Sequence, residues 1–256
     1  MLYGLYHSAQ GIQAQSFRVD VVANNVANAG TSGFKRDFAL FQSHRPFDVE
    51  NGSLSEAPGN QTALSGGVTA ARVATDFSPG PMNRTGGAYD VALSGHGFFQ
   101  VSDGQQSYLT RNGQFTVNHS GELVAQASGM RVQSQKGGPI SIPPEATGVE
   151  ITDDGNVSAV GSDGTRTQLA RLALVQPTSE SQLRKIGNSL YSANGDVAPA
   201  SAELQVKQGY LEGSGVSPVS EMVEMIQASR ALEANVNMIK FQDDALDRLL
   251  QSAMPH

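Results

Sequence analysis

The side chains that could do chemistry cluster in the middle of the chain. His96 lies between Asp90 and Asp103, and His119 follows in Asn118-His119-Ser120-Gly121. A histidine near carboxylates can transfer protons, and a histidine/carboxylate set can hold a metal. The spacing develops neither chemistry, because no H-E-x-x-H, His-x-His or repeated acidic ligand run occurs. Asp153-Asp154-Gly155-Asn156 and Asp163-Gly164 look like pieces of calcium loops, but the twelve-position ligand pattern is missing. Ser94-Gly95-His96-Gly97 lacks the nucleophile-elbow spacing, and Gly86-Gly87 and Gly137-Gly138 lack the lysine of a phosphate loop. Asp and Asn beside Gly are what tight turns require. The sequence therefore predicts no catalytic set, no metal site and no cofactor.

These residues must be carried by something, and composition bounds what. The 256 residues are 39% hydrophobic and only 16% charged, enough for one large domain or two small ones with a modest core. A formal net charge of -7 argues against a nucleic-acid surface. No cysteine is present, which excludes disulfides and thiolate chemistry. No apolar run reaches the length of a membrane span, and MLYGLYHSAQGIQAQ lacks the basic start and apolar core of a cleavable signal.

Two helical arms flank a glycine-rich middle; every glycine except Gly4 and Gly11 lies between Gly30 and Gly215. In the N-terminal arm Leu5, Ile12, Val19 and Val26 recur every seven residues, with Leu2, Ala9, Ser16 and Ala23 beside them. The helix is expected from about Leu5 to Asn28, weakened by Gly4 and Gly11 and ended by Ala29-Gly30-Thr31-Ser32-Gly33. In the C-terminal arm Ser217-Pro218 reads as a cap followed by proline at the first helical position. Met225, Leu232, Ile239 and Leu246 form one row there, and Met222, Ser229, Val236, Asp243 and Leu250 the adjacent one. A narrow apolar stripe needs a partner, either the other arm or copies in neighbouring subunits. Asn24, Asn25 and Asn28 weaken the first helix, which makes sense if the C-terminal arm or another subunit completes their hydrogen bonds.

The middle reads as antiparallel β-structure. Asp103-Gly104, Asn112-Gly113, Ser120-Gly121, DDGN and GSDG punctuate short runs as hairpin-type turns. The expected fold is α+β, with long terminal helices pairing as a coiled-coil-like axial core and a central, mainly antiparallel β domain. The expected division is residues 1–34 as N-terminal helix and joint, 35–84 as extended or loop-rich connector, 85–207 as β domain, and 208–256 as C-terminal joint and helix. The polar stretch 45–67 shows little periodicity. Head-to-tail contacts between such molecules that do not close a ring generate a filament or tube.

Three blocks carry a resemblance: ANNVANAGTSGFK from Ala23, TGGAYDVALSGHGFFQV from Thr85, and QGYLEGSGVSPVSEMVEMIQASRALEANVNMIKFQDD from Gln208. In them the chain resembles the bacterial flagellar rod and hook family of axial proteins. The resemblance implies a non-enzymatic subunit, exported by the flagellar type III apparatus without a cleaved signal. It implies polymerisation with its own copies and with other axial proteins, terminal helices lining a tube around an export channel, and a β domain farther out. It implies no membrane insertion and a place in the periplasmic part of the basal body. Within the rod, DFSPGPMNRTGG and the compact segment before it resemble the proximal-rod type more than the distal-rod type. By match to the blocks, the joint residues are Gly33, Phe34, Asp90, Gly95, Gly97, Phe98, Gly209, Leu211 and Glu212. The assembly residues are Leu5, Ile12, Val19, Asn24, Asn25, Val26, Asn28, Met222, Met225, Ser229, Leu232, Val236, Ile239, Leu246 and Leu250. Two departures stand out: Gly215 replaces an asparagine, which would loosen the approach to the C-terminal helix, and Leu232 replaces an aromatic. A monomeric β-domain module binding glycan or peptide is the rival from another class.

Overall fold

A computed structural model describes residues 2–43, 67–201 and 203–253. Most of the 45–67 stretch therefore lies outside the described residues. The chain forms two compact units. The first comprises residues 1–27, 37–75 and 217–256, and the second 28–36 and 76–216. The chain crosses between them at Ala27/Asn28, Arg36/Asp37, Thr75/Asp76 and Val216/Ser217.

The first unit holds α1 (Leu2–Ala27), β1 (Asp37–Ser43), β2 (Val68–Thr75) and α2 (Pro218–Ala253). The strands β1 and β2 lie inside the range expected to be connector; they pair antiparallel from Asp37↔Thr75 to Ser43↔Val68 and pack on α1. The helix α2 begins at the expected proline, whose missing N–H costs nothing in a first turn. The Ser217 carbonyl accepts the Glu221 N–H at 3.0 Å. The acidic Glu221 sits in that first turn, at the positive end of the helix dipole.

The second unit is antiparallel throughout its described pairings. Its largest sheet runs β14 (Leu183–Gly187), β15 (Leu190–Ala193), β6 (Ser107–Thr110), β5 (Phe98–Ser102), β9 (Arg131–Val132), β8 (Leu123–Ala125) and β7 (Phe115–Val117). Against β5 lies β13 (Leu174–Pro177), which also pairs β16 (Val197–Pro199). A three-stranded sheet orders β10 (Gly148–Ile151), β11 (Asn156–Val160) and β12 (Arg166–Arg171). Two ribbons pair β4 (Val91–Ser94) with β17 (Gln205–Gln208) and β3 (Met82–Arg84) with β18 (Tyr210–Glu212). The main core gathers Leu93, Phe99, Val101, Leu123, Val157 and Leu172 from these sheets, all at most 1% exposed. Each such side chain stabilises the fold by about 1.5–3 kcal/mol.

Four of the five turn signals close hairpins: Asp103-Gly104 joins β5 to β6, Ser120-Gly121 joins β7 to β8, and DDGN and GSDG join β10, β11 and β12 in turn. Asn112-Gly113 does not. The strand β6 pairs with β5 and β15, while β7 pairs with β8. Glycine is needed there for closeness, since a Cβ on Gly113 would sit 1.6 Å from the Val91 carbonyl oxygen.

Candidate functional site

In the first unit the site is the seam between α1 and α2, which run antiparallel. A Cβ on Gly4 would meet the Gln242 amide at 2.9 Å, and one on Gly11 would meet Asn235 at 3.0 Å. Moving along α1 from Gly4 to Gly11 thus moves the same distance back along α2, one heptad on each helix. Two heptads farther, Asn25 meets Glu221. Ala228 occupies the intervening α2 position at 1% exposure, and Arg18 reaches Glu224 at 2.6 Å. The glycines leave room on α1 for the amide side chains of Gln242 and Asn235.

Asn25 closes this seam. It is completely buried, and its Nδ2 donates to Glu221 Oε2 at 3.0 Å and to the Asp37 carbonyl at 2.9 Å. Its Oδ1 accepts the Asp37 N–H at 3.0 Å. One side chain therefore joins α1, the start of β1 and the first turn of α2. Glu221 is only 1% exposed, so its carboxylate depends on such donors.

The other residues assigned to assembly differ in exposure. Leu5, Ile12, Val19, Val26, Met225, Ser229, Leu232, Val236, Ile239 and Leu246 are half-buried, and Asn24 is exposed. Asn28 lies in the second unit, where its side chain accepts a hydrogen bond from Thr31 Oγ1 at 3.3 Å. Met222 and Leu250 are 51% and 59% exposed. On α2, Glu221, Asn235 and Gln242 meet α1 and Ala228 lies buried between them, flanked by the half-buried Met225, Leu232, Ile239 and Leu246. Apolar periodicity selects greasy side chains and passes over the small and amide ones that also sit in this contact. Gly4 and Gly11 read in the sequence only as helix weakeners; their spacing of seven was the signal available.

In the second unit the site is a buried ionic cluster around Glu212. Its Oε1 accepts from Lys35 Nζ at 2.6 Å and from the Gly80 N–H at 2.9 Å, and its Oε2 accepts from Arg111 Nη1 at 3.2 Å. Lys35, Glu212 and Arg111 are at most 2% exposed. One carboxylate serves two cations, and backbone carbonyls add to the shell, while among the described residues Arg111 Nε is buried without a hydrogen-bond partner. Lys35 donates to Ser78 O, while Arg111 Nη2 donates to Gly95 O at 2.6 Å. Burial lowers the pKa of both cations by more than the attraction of Glu212 raises it.

Several of the predicted joint residues border this cluster. Gly33 adopts φ +67 with its N–H on Glu212 O at 2.8 Å, and a Cβ there would fall 2.5 Å from the Arg111 backbone. The Phe34 ring lies under Lys185 Nζ at 4.1 Å, and the Phe34 carbonyl accepts the Gly215 N–H at 2.9 Å. Gly215 therefore acts through its backbone, and a Cβ there would make ordinary contact with Phe34 O at 3.6 Å. Phe98 packs edge-on against Phe77 and Tyr191 beneath the Arg111 guanidinium. Asp90 accepts from Thr85 Oγ1 at 2.6 Å, and its carbonyl accepts the Gly209 N–H at 2.8 Å. Gly97 leaves room for Leu204, whose Cδ2 would lie 2.6 Å from a Cβ at that position. Leu211 is buried beside Glu212 on β18. Sequence reasoning did not single out Arg111 or Lys35 as partners of Glu212. Their flanks, Gly33-Phe34-Lys35-Arg36-Asp37 and Thr110-Arg111-Asn112-Gly113, are polar enough that no local signal marks their burial.

The residues weighed for catalysis serve turns or lie exposed. His96 approaches Glu180 only at 4.0 Å with both side chains more than half exposed. Asp103 caps Gln105 and Gln106, and Asp163 accepts from Thr165, which hold both carboxyls below their usual range. Asp153 pairs with Lys207 at 2.8 Å. Among the described residues no three His, Asp or Glu are grouped to hold a metal ion, and no helix is long and apolar enough to cross a membrane.

A terminal helix pair with a polar seam, joined in sequence to an antiparallel β unit pinned by buried ions, defines a structural protein of the helical-arm type. The chain belongs to the flagellar basal-body rod protein family. Residues 5–35 match the flagella basal body rod protein family, residues 92–159 the flagellar hook protein FlgE/F/G D1 domain, and residues 207–252 the flagellar basal body rod FlgEFG protein C-terminal family. The chain is 31% identical to the flagellar basal-body rod protein FlgG of Bacillus subtilis, covering 98% of each chain. It is 37% identical to the rod protein FlgF of Caulobacter vibrioides over 86% of this chain and 85% of that one. It is 32% identical to FlgF of Escherichia coli over 96% of each.

Proposed function

We propose that this chain is a structural, non-enzymatic subunit of the flagellar basal-body rod that self-associates through α1 and α2. It works in the basal body beside other axial proteins of the same family. The observation that carries the mode of assembly is the set of exposed apolar side chains on α2. Val219, Val223 and Ile226 near its start, Met238 and Phe241 farther along, and Leu249 near its end are between 48% and 73% exposed on a 36-residue helix. These apolar side chains are left over after α1 has been packed, and exposed apolar groups along a helix are what one helix presents to the next. Repeated head-to-tail, such contacts build a coiled-coil-like helical tube that carries torque and surrounds the channel through which later subunits are exported. Export then proceeds through the flagellar type III apparatus without removal of a signal. Relatives of both names, FlgG and FlgF, align along most of the chain at 31–37% identity. The preference for the proximal-rod type thus rests on the likeness of DFSPGPMNRTGG and the compact segment before it, and copy number in isolated rods tests it. The assembly reading is tested by deleting Met222–Leu250: rods should fail to form, and a complete rod from the truncated chain would overturn it.

A further inference from the structure

The three-stranded sheet of the second unit ends at β12, which pairs with β11 on one side and with no named strand on the other. At and just past its C-terminal end, from Arg171 to Ala173, the chain is stitched to the segment after β9. The Gln135 N–H donates to Arg171 O at 2.8 Å, the Ala173 N–H donates to Gln133 O at 2.9 Å, and Ser134 bridges Leu172. The two segments then part. A bulge in the β11–β12 register leaves Leu169 as the extra residue, and bulges bend an edge strand away from its neighbours. Between β12 and the 134–141 turn opens a cleft of about 770 Å³, the size of a ligand site.

Its chemistry differs from that of the chain as a whole. The chain carries a formal net charge of -7, yet the cleft lining holds Lys136 and Arg171 and no carboxylate. Among the described residues neither cation has an ion-pair partner. Arg171 spends its Nε on the Asp154 carbonyl at 2.9 Å, which fixes the guanidinium and leaves its Nη groups for a carboxylate. The amides of Gln135, Gln168 and Asn156 line the same space, and Ile140 and Leu169 give it an apolar strip. No aromatic platform of the kind that stacks on sugar rings lines it.

We infer that this cleft receives an extended, acidic peptide segment of a partner protein, its main chain laid along the open edge of β12 and a carboxylate held by Arg171 and Lys136. Edge strands recruit extended peptides through main-chain hydrogen bonds, and flanking side chains set the specificity. The site lies within the second unit and uses neither α1 nor α2. Its failure would leave the rod-subunit reading untouched, and failed assembly would leave the cleft untouched.

The probe is a fluorescein-labelled octapeptide of alternating Thr and Glu, titrated with the full chain and read by fluorescence anisotropy. The expected result is saturable binding, weakened about tenfold or more by Lys136→Glu or Arg171→Glu, each a loss of one carboxylate contact and a gain of repulsion. Both side chains are exposed, so the variants should retain the wild-type circular dichroism spectrum. A Thr-Gln peptide should bind at least about tenfold more weakly, and an N-methylated Thr-Glu peptide should lose binding with its main-chain donors. Absence of saturable binding, or binding indifferent to both charge reversals, overturns the proposal. Equal competition by an oligogalacturonate also overturns it, because the cleft would then select acidic saccharides.

Discussion

Asn25 on α1 donates its side-chain amide to Glu221 Oε2 on α2 at 3.0 Å, across 196 residues of sequence and with both side chains at most 1% exposed. The same amide group exchanges two hydrogen bonds with the backbone of Asp37. This contact fixes where α1 stops and α2 starts relative to each other and to β1. It lies close in sequence to three of the four places where the chain crosses between its units.

Replacing Asn25 by the isosteric Asp tests that contact through pH. Two buried carboxylates about 3 Å apart cannot both ionise, so the pKa of the pair rises in the folded state. Stability tied to a raised carboxyl pKa is present at low pH and lost as pH rises through the folded value. Asn25→Asp should therefore unfold more easily than wild type at neutral pH, by about 3 kcal/mol, and the gap should narrow toward about pH 4. Urea unfolding followed by helical circular dichroism at several pH values measures it; a gap independent of pH would place the Asn25 side chain away from Glu221.

The glycines of the seam predict a compensating pair. Gly11→Leu drives a side chain into Asn235, whose nearest atoms lie 3.0 Å from the Cβ position. Overpacking of this kind costs about 1–3 kcal/mol. Adding Asn235→Gly opens the space, and the double variant should recover more than half of that loss even though glycine weakens α2. A double variant worse than the sum of the singles would show that the two positions do not face each other.

The ionic cluster predicts an asymmetry. With Lys35 and Arg111 sharing Glu212, Glu212→Gln leaves two buried cations without their counter-ion and should cost about 3–5 kcal/mol. Lys35→Met leaves a neutral Arg111–Glu212 pair and removes a desolvated charge, so it should cost less than about 2 kcal/mol. Chemical unfolding monitored by the β signal of the full chain distinguishes the two. Equal losses would mean that the cations do not share one carboxylate.

Lys35 also gives an alkaline signature. Burial holds its pKa below the ordinary 10.5, so the folded chain releases this proton at lower pH than the unfolded chain. The unfolded state then binds more protons, and the contribution of Lys35 to stability rises from the folded pKa up to 10.5. Below that window it is flat. The stability of wild type relative to Lys35→Met should therefore increase as pH climbs toward 10.5, measured by urea midpoints at matched ionic strength. A difference that falls with pH would contradict the burial.

Much of the architecture was legible because it is written in local chemistry. Pro218 marks a helix start through its missing N–H, and Asp103-Gly104 or Ser120-Gly121 mark hairpins through glycines at positive φ. What could not be read was the identity of distant partners. Asn25 stood out as a polar residue on a helical face, yet nothing local says that Glu221 completes it. Gly113 has the dipeptide context of a hairpin but is required by the approach of Val91 from another strand. Part of the α1–α2 contact was hidden for a related reason. Gly4, Gly11, Asn235 and Gln242 are small or amide-bearing, and hydrophobic periodicity weighs them least.

The exposed apolar side chains of α2 offer the most direct test of the rod-subunit account. Ile226 and Phe241 are 53% and 70% exposed, so Ile226→Asp combined with Phe241→Asp should leave the isolated chain folded, with unchanged circular dichroism and unfolding midpoint. Expressed in place of wild type in a motile bacterium that depends on this chain, the double variant should be exported but absent from purified basal bodies, and cells should be non-motile. Rods of normal length containing the double variant would contradict assembly through this face of α2.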